Sequence, residues 1–148
     1  VFLMAATNRV DIIDPAVLRP GRLDKVLFVD LPNQPDREEI FKAITKNGSR
    51  PSLDSDVSFA TLSEESEGYT GADISALVRE ASISAFKEFS LRPKTLMKVP
   101  TRVAKRHFQK AKCRIRPSVS KEDRIKYETM KRKYSAALGP DEGRMRAQ

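Results

Sequence analysis

The sequence predicts an α/β segment, the end of a parallel sheet, followed by an α-helical bundle and C-terminal helices. One observation is a pair of short apolar runs, "VFLMAA" at 1–6 and "KVLFVDLP" at 25–32, which are typical of strands buried on both faces. Another is the change after Pro35 from such runs to apolar residues at helical spacing. The third is a pair of helix-start signatures, at 70–73 and 120–123.

A short helix is predicted between the two strands. Asp14 suits its N-cap, Pro15 its first position and Gly21 its stop, while Pro32 closes the second strand. Two apolar strands joined by a helical crossover indicate the tail of an α/β sheet.

Helices dominate the rest of the chain. Asp36 is predicted to cap a helix with Ile40, Phe41 and Ile44 on one face, and residues 57–62 form a shorter apolar cluster. The clearest helix follows a capping box of Thr70 and Asp73, and its apolar residues are Ile74, Leu77, Val78, Ala81, Ala85 and Phe89. Further along we expect a basic loop at 91–98, a helix opened by Thr101 with Val103, Phe108 and Ala111, and a helix after Ser120 with Tyr127, Met130 and Tyr134.

Composition limits the function classes. The 148 residues carry a net charge of +8, which indicates an acidic partner or, equally, a solubilising excess of lysine. Cys113 is the only cysteine, so the chain has no internal disulfide, and no apolar run approaches the ~20 residues of a membrane helix. The lone His107 has no acid or cysteine at metal-ligand spacing, and we expect it to pack on a helix face beside Phe108. Cys113 is expected to be a small buried or half-buried residue.

Three features could contact a phosphate or nucleotide. Asn8 ends the first predicted strand, where α/β sheets bind ligands, but Asn is also a common turn-former. Arg19 and Arg22 flank a Pro-Gly pair and suit phosphate oxygens, or they belong to a surface turn that pairs with Asp24 or Asp14.

The third feature is the helix start at Thr70. Its free N–H groups could meet an anion or a base edge, and Gly71 and Ala72 leave that backbone uncovered; the alternative is a plain cap.

The order and spacing of these features carry a family resemblance. "AATNRVDIIDPAVLRPGRLDKVLFVDLP", "DREEIFKAI" and "YTGADISALVREA" together resemble the AAA family of ATPases over roughly residues 1–135. Within that family the chain looks most like the second ATPase module of the nuclear members that act in large-ribosomal-subunit maturation, and "RPSVSKEDRIKYE" resembles their C-terminal helices.

The resemblance implies roles for individual residues. Asn8 matches the first sensor, which orients the attacking water, and Arg19 and Arg22 match arginine fingers that reach the neighbouring subunit's nucleotide. Ile40 and Ile44 match positions that line the adenine pocket, although core packing alone would also explain them. Gly71 and Ala72 match backbone contacts to the base and ribose. Val10 replaces the family's usual proline, from which we expect a local loop change.

The resemblance also implies an organisation. Residues 1–33 would be the end of the AAA α/β core, 34–116 the helical lid, 117–136 a C-terminal helix and 137–148 a disordered tail. The sequence contains no G-x-x-x-x-G-K-[ST] motif and no apolar strand ending in Asp-Glu, so we expect the phosphate loop and the Mg²⁺ ligands upstream of Val1, in a longer protein. Residues 1–148 alone are therefore expected to be inactive.

Two functions remain open at this stage. The first is part of an ATP- and Mg²⁺-dependent hydrolase that works as a nuclear hexameric ring on protein clients or pre-ribosomal particles. The second is a basic helical module that binds RNA or a partner protein on an inert ATPase-like scaffold. Its RNA contact would use the basic residues between Lys94 and Arg116, whose default interpretation is a solvated helix face.

Overall fold

The computed structural model of the chain describes residues 1–91 and 101–137. Two short 3₁₀ helices, Val10–Ile12 and Pro15–Leu18, precede five α-helices: α1 (Gln34–Thr45), α2 (Phe59–Glu64), α3 (Gly71–Ser90), α4 (Lys105–Lys112) and α5 (Lys121–Ala137). The chain divides into two compact units. The terminal unit is Val1–Val29 with the described residues from Arg124 onward, and the helical unit is Asp30–Asp123. Most of the predicted basic loop and the predicted disordered tail lie outside the described residues.

The sheet predicted at the start of the chain is not confirmed. Residues 1–6 and 25–32 form no strand, and the bridges among the described residues are two isolated pairs elsewhere in the chain. A strand requires a hydrogen-bonded neighbour, and neither segment has one in the described part of the chain. Most of their apolar side chains are accordingly open to solvent, Phe2 fully and Val29 at 90%.

The short helix between these segments begins as predicted and ends early. Asp14 Oδ1 accepts the Ala16 N–H at 2.8 Å, and Pro15 occupies the first turn. The helix is a single 3₁₀ turn that stops at Leu18, so Gly21 belongs to the following turn and is not the stop.

The helical unit is built around one core. α1 packs on α2 and α3, and α3 packs on α4. The predicted apolar face of α3 is confirmed over Ile74, Leu77, Val78, Ala81 and Ala85, which are buried with Phe41, Leu62, Tyr69, Val103, Phe108 and Ala111.

Two helix starts differ from the predictions. α1 begins at Gln34 with Asn33 as its cap, because Asn33 accepts the Asp36 N–H at 2.9 Å while Asp36 accepts the Asn33 N–H at 3.0 Å. Thr101 does not open α4. The backbone there is extended, since Val103 donates its N–H to Ser52 and accepts that of Asp54.

Candidate functional site

The start of α3 leaves two backbone donors free. Thr70 Oγ1 accepts the Asp73 N–H at 3.2 Å, and Asp73 Oδ2 accepts the Thr70 N–H at 2.9 Å, which confirms the predicted capping box. The N–H groups of Gly71 and Ala72 lie between these bonds and have no partner within the described residues. Such first-turn groups are available to an external acceptor.

The surface beside these donors is open. A Cβ built on Gly71 would meet no atom within 4 Å, so the glycine is not required by contacts within the described chain. Ala72 is exposed. On α1, which packs against α3, Ile40 and Ile44 are half-buried and pack on the core while keeping part of their surface accessible.

Asp73 also joins the start of α3 to a distant segment. Its Oδ2 accepts the Ser118 N–H at 3.1 Å and the Ser118 Oγ–H at 2.9 Å, and the Thr70 Oγ–H at 2.9 Å. Burial raises the pKa of this carboxyl, but the hydrogen bonds from Thr70 and Ser118 outweigh it, so the net pKa is lowered. Nearby, the Tyr69 hydroxyl donates to the Ile115 carbonyl at 2.6 Å.

Arg19 and Arg22 stand at the ends of a tight turn. The Arg22 N–H donates to the Arg19 carbonyl at 3.1 Å, and Gly21 adopts φ +83°. Pro at the second position and a positive-φ Gly at the third are the pattern of a type II turn, which fixes the direction of both flanking residues.

The acidic residues near that turn do not pair with these arginines. Asp14 caps the 3₁₀ helix and Asp24 accepts the Gly21 N–H at 3.2 Å. The Arg22 guanidinium donates to the Ala16 carbonyl at 2.9 Å, and Arg19 makes no side-chain bond within the described residues. The turn is therefore exposed, as the surface-turn alternative expected, but the ion pairs of Arg19 and Arg22 with Asp14 or Asp24 do not form in the described part of the chain.

Asn8 is exposed, and its amide makes no hydrogen bond within the described part of the chain. The neighbouring Thr7 Oγ1 accepts the Arg9 N–H at 3.0 Å, so the turn is held by Thr7. Arg9 pairs with Asp11 at 2.8 Å; its hydrogen bond is the main reason that the pKa of Asp11 is lowered. Asn8, Arg19 and Arg22 belong to the terminal unit, whereas the isoleucines, Gly71 and Ala72 belong to the helical unit.

Some of the basic residues between Lys94 and Arg116 form ion pairs within the helical unit. Arg106 contacts Glu88 at 2.7 Å, Lys112 contacts Glu65 at 2.9 Å and Arg114 contacts Glu80 at 2.5 Å. These ion pairs connect α4 and the residues after it to α2 and α3.

Lys110 of the same basic stretch and Lys87 on α3 make no ion pair within the described residues. Both line a groove of about 240 Å³ between α3 and α4. Cys113 also lines the groove and is exposed, so the expectation of a buried or half-buried thiol is wrong.

His107 is more deeply placed than the sequence suggested. It is 1% exposed; its Nδ1 accepts the Ala104 N–H at 2.9 Å and its Nε2 lies 2.9 Å from Glu88 Oε2. Because Nδ1 accepts, the proton lies on Nε2 and is donated to Glu88. His107 thus caps α4 from its third position, although Ala104 and His107 do not match the usual capping-box residues.

Among the described residues, no three acidic, histidine or cysteine side chains are grouped as a metal site would require. Across the same residues, no helix combines the length and apolarity needed to cross a membrane.

The chain is similar to known proteins over most of its length. A family model described as the AAA+ lid domain matches residues 56–96, which include α2 and α3. The chain is 49% identical over 138 residues to "Nuclear valosin-containing protein-like" of Mus musculus, covering 91% of this chain and 16% of that protein. The chain belongs to the AAA family of ATPases.

Other AAA relatives agree. "Protein mac-1" of Caenorhabditis elegans is 50% identical over 136 residues, covering 90% of this chain and 16% of its own length. "Ribosome biogenesis ATPase RIX7" of Saccharomyces cerevisiae is 38% identical over 154 residues, covering 90% of this chain and 18% of its own length. The chain therefore spans less than a fifth of the length of these three relatives.

Proposed function

We propose that this chain is the sensor, arginine-finger and lid portion of the second ATPase module of a nuclear AAA protein. ATP hydrolysis by a hexameric ring of the whole protein would remodel protein or ribonucleoprotein complexes during large-ribosomal-subunit maturation. The names of the mouse and yeast relatives, which refer to the nucleus and to ribosome biogenesis, support the location and process.

The observation that carries the catalytic part of the proposal is the type II turn at Arg19–Arg22. It presents two exposed guanidinium groups while Asp14 and Asp24 are engaged with backbone N–H groups. An arginine supplied to a neighbour's triphosphate neutralises charge that develops in the transition state and contributes roughly 10³–10⁵ in rate. Arg19 and Arg22 are proposed to act in this way across the subunit interface, and Asn8 to orient water in its own subunit.

The start of α3 suits a nucleotide. The free N–H groups of Gly71 and Ala72 can donate to a base or ribose, and the space beside Gly71 leaves room for one. Ile40 and Ile44 would supply the apolar side of the adenine pocket. ATP, with Mg²⁺ held by residues outside this chain, supplies the transferable phosphoryl group. Residues 1–33 are proposed to complete the core sheet when paired with its other strands, which would cover the apolar side chains now exposed at both segments.

A subunit-mixing experiment tests the division of roles. In the full-length protein, Asn8→Ala and Arg22→Ala should each abolish most ATP turnover while sparing nucleotide binding. If Asn8 acts within its own subunit and Arg22 on the neighbour's site, equal mixing of the two inactive variants restores complete sites at about one interface in four.

The matched control is the Asn8→Ala/Arg22→Ala double variant mixed with either single variant, in which no interface is complete. Restored turnover in the first mixture and none in the second would support trans action by Arg22. A first mixture that stays inactive after rings have formed would contradict it.

RNA contact is a second function that one observation favours, namely the unpaired Lys87 and Lys110 in the groove between α3 and α4. Phosphate contacts there would be insensitive to sequence and weakened by salt. A Lys87→Ala/Lys110→Ala variant would then lose RNA binding and keep ATP turnover. If Arg22→Ala weakened only RNA binding and left turnover intact, the inert-scaffold interpretation would be correct instead.

A further inference from the structure

We propose that Ser118 is a positioning residue for the nucleotide contacts at the start of α3, an inference that rests on the proposed function. Ser118 lies between α4 and α5, 45 residues beyond Asp73. Its hydroxyl and its backbone N–H both donate to Asp73 Oδ2.

One oxygen atom makes the connection. Asp73 Oδ2 accepts two bonds from Ser118 and also the N–H of Thr70, the cap of α3. Gly71 and Ala72 lie between Thr70 and Asp73, so the direction of their free N–H groups depends on the geometry of this junction. A nucleotide that used those N–H groups would therefore bind to a backbone whose geometry depends on the hydrogen bonds between Ser118 and Asp73.

The junction is held firmly on the protein side. Asp73 is 7% exposed, and the protein donors of Thr70 and Ser118 all converge on its Oδ2. Tyr69 comes one residue before the cap Thr70, and its hydroxyl donates to the Ile115 carbonyl at 2.6 Å. This bond is a second link between the start of α3 and the segment that contains Ser118. Hydrogen bonds to a charged acceptor are roughly twice as strong as neutral ones, so the Ser118 hydroxyl is a substantial part of this connection.

Ser118 is well suited to mutation because it is itself exposed. Ser118→Ala keeps the backbone N–H bond, removes one donor and leaves no core cavity. Ser118→Thr keeps the hydroxyl. Ser118→Glu places a second carboxylate against Asp73, where like charges repel.

The experiment measures ATP turnover and equilibrium nucleotide binding of the full-length protein carrying each variant. For Ser118→Ala we expect KM and Kd for ATP to rise about three- to tenfold with kcat within about twofold, a larger rise for Ser118→Glu, and near-complete rescue by Ser118→Thr. Hydrogen exchange of the hydrogen-bonded amides of Thr70, Asp73 and Ile74 should become faster in the alanine variant. Ser90→Ala is the matched control, because it removes a hydroxyl bond to the Phe86 carbonyl at the other end of the same helix.

The outcomes separate the two proposals. If the unmodified full-length protein binds no ATP, the proposed function fails before any variant is compared. If it binds ATP but Ser118→Ala leaves KM, Kd and the exchange of the Thr70, Asp73 and Ile74 amides unchanged, the positioning role is wrong. A fall in kcat alone, or an equal effect of Ser90→Ala, would also overturn it.

Discussion

Replacing His107 by alanine should cost far more stability than replacing its neighbour Arg106. Both side chains contact the Glu88 carboxylate, but the side chain of His107 is only 2% exposed whereas that of Arg106 is 53% exposed. An exposed ion pair contributes about 0–1 kcal/mol, so Arg106→Ala should lower the free energy of unfolding only slightly.

The His107 value follows from two losses. Removing the ring leaves the buried Ala104 N–H without its acceptor, which costs about 1–3 kcal/mol, and removes the donor to Glu88, at about 1.5 kcal/mol or more. We expect a total of about 3–5 kcal/mol, a large share of the ~5–15 kcal/mol that a domain possesses. His107→Gln can still accept the Ala104 N–H from the same helix position, so it should recover part of the loss.

Urea unfolding of the three variants, followed by far-ultraviolet circular dichroism at one pH, measures these differences. An alanine variant within about 1 kcal/mol of the unmodified chain would show that the buried ring is not used as described. Equal values for His107→Ala and Arg106→Ala, or for His107→Ala and His107→Gln, would contradict the reasoning as well.

Two further predictions concern the start of α3. The pKa of Asp73 is lowered in the folded chain, so its contribution to stability should be complete above the ordinary value of 3.8 and disappear as pH falls through the lower folded value. Urea midpoints measured across that range should show the gap between the unmodified chain and Asp73→Asn closing on acidification; a constant gap would refute this. Gly71→Leu should leave the unfolding midpoint nearly unchanged, because no atom lies within 4 Å of a Cβ there, yet weaken nucleotide binding by about tenfold or more. Unchanged affinity measured by titration calorimetry would remove Gly71 from the nucleotide site.

Features that depend on local sequence were predictable. The capping box of Thr70 and Asp73 and the buried face of α3 involve residues three or four positions apart, and both were confirmed. Features that depend on distant pairing were not. The strands predicted at 1–6 and 25–32 need neighbouring strands that the local sequence cannot supply. The backbone pairing of Val103 with Leu53 keeps the chain after Thr101 extended, where a helix was expected.

The candidate site shows the same division. Pro20 and Gly21 indicated a preset turn, and the structure has that turn, but the functions of Arg19 and Arg22 came from the family resemblance and stay predictions. The contact of Ser118 with Asp73 spans 45 residues, and no local sequence pattern predicts it. His107 was placed on the correct helix, but its acceptor Glu88 lies on α3, so its burial could not be read from α4 alone.

These contacts together tie both ends of α3 to the chain around α4. At the start of α3, Asp73 is joined to Ser118; near its end, Glu88 is joined to His107 and Arg106. The two connections lie 15 residues apart on one helix, about 22 Å at 1.5 Å per residue, so they can be weakened separately. If α3 only supports the fold, variants at either end should lower stability and leave nucleotide affinity unchanged. If Ser118 positions Gly71 and Ala72, the two variants should differ. The more destabilising His107→Gln should keep its affinity for ATP at temperatures where it stays folded, whereas the milder Ser118→Ala should lose affinity. A loss of affinity that followed stability across both variants would show that the connection at Asp73 has no special role.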